Sequence, residues 1–219
     1  MPVHPDRSGQ YEVGYGFQLM TICMSAYMYF GVDSVALSMV IFGCAQVDIV
    51  KDKIKSIKSP TEKNKNDKAI FLEENYNKLI ECAVHHQAVV SFTTLVEDAY
   101  HTYLLLQLTG SVGLICMSTC PILFFSILTY LSVMISQLYV CCWCGHELTA
   151  TSEELHTTLY ECAWYEQTAR FRRALIFMMM RARKPMVFRA GHYIALSRQN
   201  FVAILRMSYS YFAVLNQTK

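Results

Sequence analysis

A stretch of 48 consecutive residues, from Ala99 to His146, contains no Asp, Glu, Lys or Arg. One crossing of ~30 Å of hydrocarbon takes ~20 helical residues, so this stretch is long enough for two helices joined by a turn. Its single proline, Pro121, lies near the middle. Buried core helices of a soluble protein are the alternative, but two of them seldom follow one another without a charged solvent face. The stretch therefore predicts a transmembrane hairpin.

Two further apolar segments bring the number of predicted spans to four. Residues 13–47 hold one formal charge, Asp33, and are long enough for a span with an extension beyond the bilayer. The hairpin supplies spans at 100–117 and 122–142, and residues 190–215 supply a fourth that Arg198 and Arg206 interrupt. Charged residues make up only 16% and fall in blocks, which is typical of a membrane protein with a substantial aqueous part.

Basic residues predict the orientation of these spans. Seven lysines face three acids in residues 51–69, and no acid occurs from Gln167 onward. Cytoplasmic loops carry an excess of Lys and Arg, so both of these regions should be cytoplasmic and both chain ends external. The formal net charge of +2 is too small to indicate nucleic-acid binding, and we expect none.

The predicted fold is all-α: a polytopic helical membrane protein with four transmembrane helices extended into a cytoplasmic helical bundle. Bundle helices are predicted at 35–58, 70–98 and 153–180, the first of them ended by Pro60. The apolar side of that first helix is predicted to be Val35, Ile41, Phe42, Ala45, Ile49, Ile54 and Ile57. The predicted parts are an external segment (1–11), the first transmembrane helix with its extension (12–50), a basic loop (51–69), a cytoplasmic helix (70–99), the hairpin (100–142), further cytoplasmic helices (143–190), and the last transmembrane helix with a short external tail (191–219).

The last predicted helix carries a stripe of small or polar residues. At helical spacing, one face holds Ala203, Arg206, Ser210, Val214 and Gln217. A cation at mid-span costs at least ~2.5 kcal/mol on insertion scales, so Arg206 should face water or protein rather than lipid. The spacing leaves two interpretations open: a helix packed inside the bundle, or a pore-lining stripe, which would require several subunits.

Two clusters invite a chemical interpretation. Cys141 and Cys144 form a Cys-x-x-Cys pair close to His146, but no second ligand pair follows at zinc-finger spacing. His85 and His86 form a single pair, whereas membrane metalloenzymes use repeated His clusters. We therefore expect no metal site, no cofactor and no catalytic residues.

Several strings, in order along the chain, resemble the insect odorant receptor family. Residues 139–148 read Tyr-Val-Cys-Cys-Trp-Cys-Gly-His-Glu-Leu and resemble the run at the inner end of that family's sixth span. Residues 161–165, 179–185, 190–191 and 208–215 are similar to its C-terminal signature. The fourth and fifth spans are matched by Tyr11, Tyr15, Gln18, Asp33 and Gln46 and by the region of His85, Phe92 and Glu97. The resemblance covers nearly the whole chain.

This resemblance implies a seven-span receptor of the plasma membrane with a cytoplasmic N-terminus and an extracellular C-terminus. Members form tetrameric, ligand-gated cation channels with a shared co-receptor, so the expected partners are a volatile odorant, that co-receptor and membrane lipid. The final helix lines the pore in the family, and residues 143–190 correspond to the anchor where subunits meet. The expected pore-lining residues are Arg206, Ser210, Val214 and Gln217, and the expected partial odorant contacts are Met24, Tyr27, Met28 and Tyr130.

Only four of the family's seven spans are matched, so we expect this chain to be the C-terminal half of a longer receptor. A different class of protein stays open beside it. A four-span structural or adaptor protein, whose cytoplasmic helices bind partners, would carry the same helices without channel activity.

Overall fold

The computed structural model describes residues 8–58, 65–117 and 124–217, and within them the side chains of 12–58, 68–110, 132–210 and 213–214. Helices dominate these ranges, which confirms the all-α prediction: α1 (Ser8–Lys55), α2 (Lys65–Met117), α3 (Phe124–Glu161), α4 (Ala169–Ala182) and α5 (Arg198–Gln217). A short 3-10 helix lies at Trp164–Glu166. Two antiparallel strands of two residues each, β1 (Arg189–Ala190) and β2 (Ile194–Ala195), precede α5.

The chain forms two compact units, Met1–Ser38 and Met39–Lys219. In the first unit, the described side chains belong to the beginning of α1 and are mostly apolar and exposed, as at Phe17 (72% exposed) and Phe30 (67%). Continuous exposed apolar surface of this kind needs a cover of lipid or protein. This surface agrees with the predicted first transmembrane span.

The second unit holds a helical core to which four helices contribute. Its fully buried side chains include Ile54 of α1, Leu79 of α2, Leu155 of α3 and Phe171 of α4. Thr168 caps the beginning of α4, where its Oγ1 accepts a hydrogen bond from the backbone N–H of Phe171 at 3.2 Å. Burying a large apolar side chain stabilises the folded state by about 1.5–3 kcal/mol, so this core is the main stabilising element of the unit.

The apolar side predicted for the first bundle helix is wrong in most of its members. Of the seven predicted residues only Ile54 and Ile57 are buried, and the others are partly or largely exposed. The buried face of this part of α1 is formed by Val40, Val47, Val50 and Ile54, and Ile57 is buried just after the helix ends. Apolar residues surround this helix on all sides, so hydrophobicity alone does not mark the face that packs.

The observed helix boundaries agree with those predicted for the hairpin but differ from the prediction for residues 153–180. α2 continues from the bundle to Met117 and α3 begins at Phe124, as two helices joined by a turn require; Pro121 lies outside the described residues. Residues 153–180, predicted as one or two helices, divide between the end of α3 and α4. The β1–β2 pair was not predicted, because strands of two residues leave no periodic signal.

Two helical segments of the described side chains are long and apolar enough to cross a membrane. They are Glu12–Lys55 and Lys68–Gly110. Of the third predicted span (122–142), the side chains of 132–142 are among the described ones, and the fourth is present as helix α5. The domain boundaries and the transmembrane position of α5 stay predictions.

Lysines that predicted the orientation also join helices. The Lys51 Nζ lies 2.6 Å from a Glu154 carboxylate oxygen on α3 and 2.7 Å from one of Asp48. Burial alone lowers the pKa of Lys51, but the hydrogen bonds to Asp48 and Glu154 outweigh it and raise that pKa. Lys53 reaches Glu81 of α2 at 2.6 Å. The end of α1 is thus tied to both neighbouring helices.

A buried network of polar side chains binds the backbone just after the end of α1. The Asn75 Nδ2 donates to the backbone carbonyl of Lys58 at 3.1 Å and lies 3.4 Å from the Gln167 Oε1. The Gln167 Nε2 donates to the same carbonyl at 3.4 Å. Both side chains are buried, so these hydrogen bonds replace the water that the Lys58 carbonyl would otherwise bind.

Replacing Asn75 should therefore destabilise the bundle. We expect Asn75→Ala to lower the free energy of unfolding by about 1–3 kcal/mol, because the Lys58 carbonyl then keeps only the longer bond from Gln167 and the Gln167 Oε1 loses its Asn75 donor. Asn77→Ala is the matched control, since Asn77 lies on the same helix and is exposed; it should cost less than about 0.5 kcal/mol. Thermal unfolding of the chain in detergent measures both, and equal losses would contradict the network's role.

Candidate functional site

The exposed face of α5 carries the predicted polar stripe. Arg206, Ser210 and Val214 are exposed and line one open groove of about 340 Å³ together with Met207. On the other side of the helix Ser208 is buried, and its Oγ donates to the Ile204 carbonyl at 2.9 Å. The backbone of Gln217 belongs to α5, while its side chain lies outside the described ones.

The beginning of α5 is fixed by a local cap. The Ser197 Oγ accepts a hydrogen bond from the backbone N–H of Asn200 at 3.2 Å, as an N-cap serine does. The Asn200 Nδ2 donates to the carbonyl of Ala195, in strand β2, at 2.7 Å. These bonds hold the first turn of α5 against the strand that precedes it.

Four residues of α3, Tyr139, Trp143, Gly145 and Glu147, form a surface that we call the α5 socket. The Arg198 guanidinium carbon lies 3.9 Å from the centroid of the Trp143 ring, and its Nη2 lies 3.8 Å from a Glu147 oxygen. The Tyr139 ring meets the Phe201 ring edge-on at 5.4 Å between centroids. A cation over an aromatic face and an edge-on ring pair each stabilise by about 0.5–1.5 kcal/mol.

Gly145 lets the socket approach the chain before α5 very closely. A Cβ placed on Gly145 would lie 2.8 Å from both the carbonyl oxygen and the Cβ of Leu196. Leu196 is itself buried, so the chain there has little freedom to move away. The glycine is required here for the close approach and not for a special backbone angle.

The β1–β2 turn rests on α2. Gly191 has a φ of +61°, and its backbone N–H donates to the His101 carbonyl at 2.9 Å. His192 also has a φ of +61°; its ring lies 4.0 Å from that of His101, and its Nδ1 lies 3.7 Å from a Glu97 oxygen. Residues just before α5 are therefore held by α2 on one side and by α3 on the other.

The role of Arg198 was not predicted from the sequence, in which this residue interrupts an apolar segment. The signal was available in the run 139–148, whose aromatic, glycine and acidic residues supply each contact of the socket. Only the spatial pairing of that run with the beginning of α5 was lacking.

The predicted odorant contacts lie in the first unit or outside the described side chains. Met24, Tyr27 and Met28 share one face of α1 and are exposed, Tyr27 at 79%. The side chain of Tyr130 is not among the described ones. Their role in odorant binding stays a prediction.

The cysteine cluster lacks the properties of a reactive or metal-binding site. Cys141, Cys142 and Cys144 are buried. Burial, and secondarily the Glu147 charge, raises the pKa of Cys144, so its thiol stays protonated at neutral pH. Across the part of the chain that the structure describes, no group of three or more His, Cys, Asp or Glu side chains is arranged to hold a metal ion.

The two adjacent histidines are packing residues of the bundle. The His85 Nε2 lies 2.9 Å from the Gln46 Oε1 of α1. His86 is only 4% exposed; burial first, and then the charges of Arg181 and His85, lower its pKa to about 4. At neutral pH His86 is therefore an uncharged member of the core.

Comparison with known proteins shows the family. Residues 1–209 match the family model described as 7tm Odorant receptor. Odorant receptor 2a of Drosophila melanogaster is 25% identical over 99% of this chain and 62% of its own length. Odorant receptor 94a of the same species is 31% identical over 60% of this chain and 37% of its own length. The chain thus spans less than two thirds of the length of these relatives.

Solved structures show the same fold. The insect olfactory receptor OR5 from Machilis hrabei is 14% identical and aligns with all of this chain and 56% of its own, with a TM-score of 0.81, or 0.77 for its complex with eugenol. Fold and sequence together define an all-α, multi-pass membrane protein of the receptor class. The chain belongs to the insect odorant receptor family, as the sequence resemblance predicted.

Because Gly145 has no room for a methyl group, Gly145→Ala should displace residue 196 and loosen the beginning of α5. We expect it to lower the free energy of unfolding by about 1–3 kcal/mol, the typical cost of overpacking. Gly31→Ala is the control, since a Cβ there meets nothing within 4 Å. Thermal unfolding in detergent compares the two variants; a stable Gly145→Ala chain would contradict the close approach.

The buried His86 should make the free energy of unfolding depend on pH between about 4 and 6.5. Between pH 6.5 and about 4 the unfolded chain binds a proton that folded His86 does not, so the free energy of unfolding falls as the pH is lowered through this range. The stability of wild type relative to His86→Gln should drop by about 3 kcal/mol over this window and stay constant above it. Denaturant titrations at several pH values measure the difference; parallel curves would contradict it.

Proposed function

We propose that this chain contributes a subunit to an odorant-gated cation channel in which the face of α5 carrying Arg206, Ser210 and Val214 lines the ion pathway. The single observation that supports it most is that these three side chains are exposed along one open groove, while the opposite side of α5 packs on the protein. An exposed arginine in an apolar helix needs water or a protein partner beside it.

One α5 helix cannot enclose a pathway, so the proposal requires several subunits around a common axis. Members of the family assemble with a shared co-receptor as tetramers, and we take the same partner for this chain. Gln217 would lie one turn beyond Val214 on the pathway, and residues 143–190 would form the anchor between subunits. The assembly would sit in the plasma membrane with the C-terminus outside.

Odorant binding would act on α5 through the contacts described above. Met24, Tyr27, Met28 and Tyr130 are the proposed partial contacts for a volatile ligand, which shape and dispersion would select. The α5 socket and the β1–β2 turn connect α5 to α3 and α2, so a shift of either helix would move the beginning of α5. No covalent chemistry is part of this proposal.

Replacing Arg206 tests the pathway. We expect co-expression with an insect odorant co-receptor to give a cation current that differs from that of the co-receptor alone. Arg206→Gln should increase cation conductance by up to about five-fold, because removing a positive charge at ~4 Å from a cation in water relieves ~1 kcal/mol of repulsion.

Lys68→Gln is the control, since Lys68 is an exposed basic residue on α2 that lies outside α5 and outside residues 143–190. It should leave the conductance unchanged at similar surface expression. Currents identical to those of the co-receptor alone, for wild type and both variants, would contradict the channel proposal and favour a structural or adaptor protein.

A further inference from the structure

A second cavity lies between α2 and the segment that joins α4 to β1. It has a volume of about 210 Å³, roughly that of seven water molecules in the liquid. Apolar and polar residues line it in equal number, and three of the polar ones are basic: Arg181, Lys184 and Arg189. We call it the basic pocket.

The basic pocket is lined by more basic than acidic residues. Arg181, Lys184 and Arg189 are exposed, and in the described residues none of them forms an ion pair with an acid. The Arg181 Nη1 donates to the Lys184 backbone carbonyl at 3.4 Å. Glu97 is the acidic residue of the lining, and one of its oxygens lies 3.7 Å from the His192 Nδ1. Positive charge is therefore in excess by two.

The basic pocket lies on the part of α2 just before its predicted membrane span. Its lining runs along that helix from Val90 to Glu97, and after Asp98 the charge-free segment begins at Ala99, with its span predicted from Tyr100. At ~1.5 Å per residue, Glu97 is ~4.5 Å and Val90 ~15 Å from Tyr100. The headgroup layer extends ~5–8 Å beyond the hydrocarbon on each side, so the Glu97 end of the pocket opens at headgroup depth.

From this placement we propose that the basic pocket binds the phosphate of an anionic lipid headgroup from the cytoplasmic leaflet. Two guanidinium groups and an ammonium are the donors that bind phosphate best, and juxtamembrane basic residues are attracted to that leaflet. The proposal rests on the membrane orientation used under Proposed function. It does not depend on ion conduction.

A lipid bound here would touch three elements of the second unit, two of which, α2 and β1, belong to the contacts that hold the residues before α5. The pocket lining includes α2, the end of α4 and β1, and β1 continues into the turn that rests on His101. A phosphate shared by these elements would hold them together. Bound lipid should therefore raise the unfolding temperature of the chain.

The test titrates the purified chain in detergent with dioctanoyl phosphatidylinositol 4,5-bisphosphate and follows its unfolding temperature. The triple variant Arg181→Gln, Lys184→Gln, Arg189→Gln should weaken the apparent affinity at least ~10-fold, since each basic residue near an anionic surface contributes appreciably. The matched control, Arg172→Gln, Arg173→Gln, Arg183→Gln, removes three exposed arginines that do not line the pocket and should bind like wild type.

Each other outcome contradicts the proposal. Equal weakening in both triple variants would mean general electrostatic attraction, and an equal shift with dioctanoyl phosphatidylcholine would mean lipid binding without charge recognition. An equal effect of soluble inositol 1,4,5-trisphosphate would assign the pocket to a free phosphate compound. If the pocket variant fails to fold, Lys184→Gln alone should still weaken binding several-fold. Absence of any shift would reject the pocket and leave the channel proposal standing, because the Arg206 currents do not involve it.

Discussion

The position of α5 depends on one close approach, that of Gly145 on α3 to the backbone of Leu196. Because Gly145 has no Cβ, helix α3 and the segment at Leu196 approach one another more closely than any other residue at position 145 would allow. Once they are this close, Arg198 reaches both Trp143 and Glu147, and Phe201 meets Tyr139. These contacts fix the rotation of α5 about its own axis, and the rotation decides which face is left exposed.

The composition of each exposed face indicates which environment it suits. In the first unit, apolar side chains point outward, which suits lipid. In α5 the outward face mixes Arg206 and Ser210 with Val214, a composition that lipid tolerates poorly. The bundle of the second unit is held by an apolar core and by polar contacts such as Asn75 with Lys58. The same chain thus meets lipid, protein and, as we propose, water on different faces.

Much of the fold followed from the sequence because lipid imposes simple rules. The charge-free stretch predicted two successive helices, and the end of α2 and the beginning of α3 supply them. The buried face of α1 could not be predicted, because a helix that is apolar on all sides gives no direction to its packing. The partners of Arg198 and Gly191 were also hidden, since they depend on contacts between residues about fifty to ninety positions apart. The stripe of Arg206, Ser210 and Val214 was visible because it is local to one helix.

The rotation of α5 can be measured directly by single-cysteine substitution and reaction with a membrane-impermeant thiol reagent in assembled channels, with the unsubstituted chain as the background. The account predicts that cysteines at 206, 210 and 214 react readily, while cysteines at 204 and 208 are protected, because Ile204 is half-buried and Ser208 is buried. Faster reaction at 204 and 208 than at 206, 210 and 214 would contradict it, since the opposite face of α5 would then meet water.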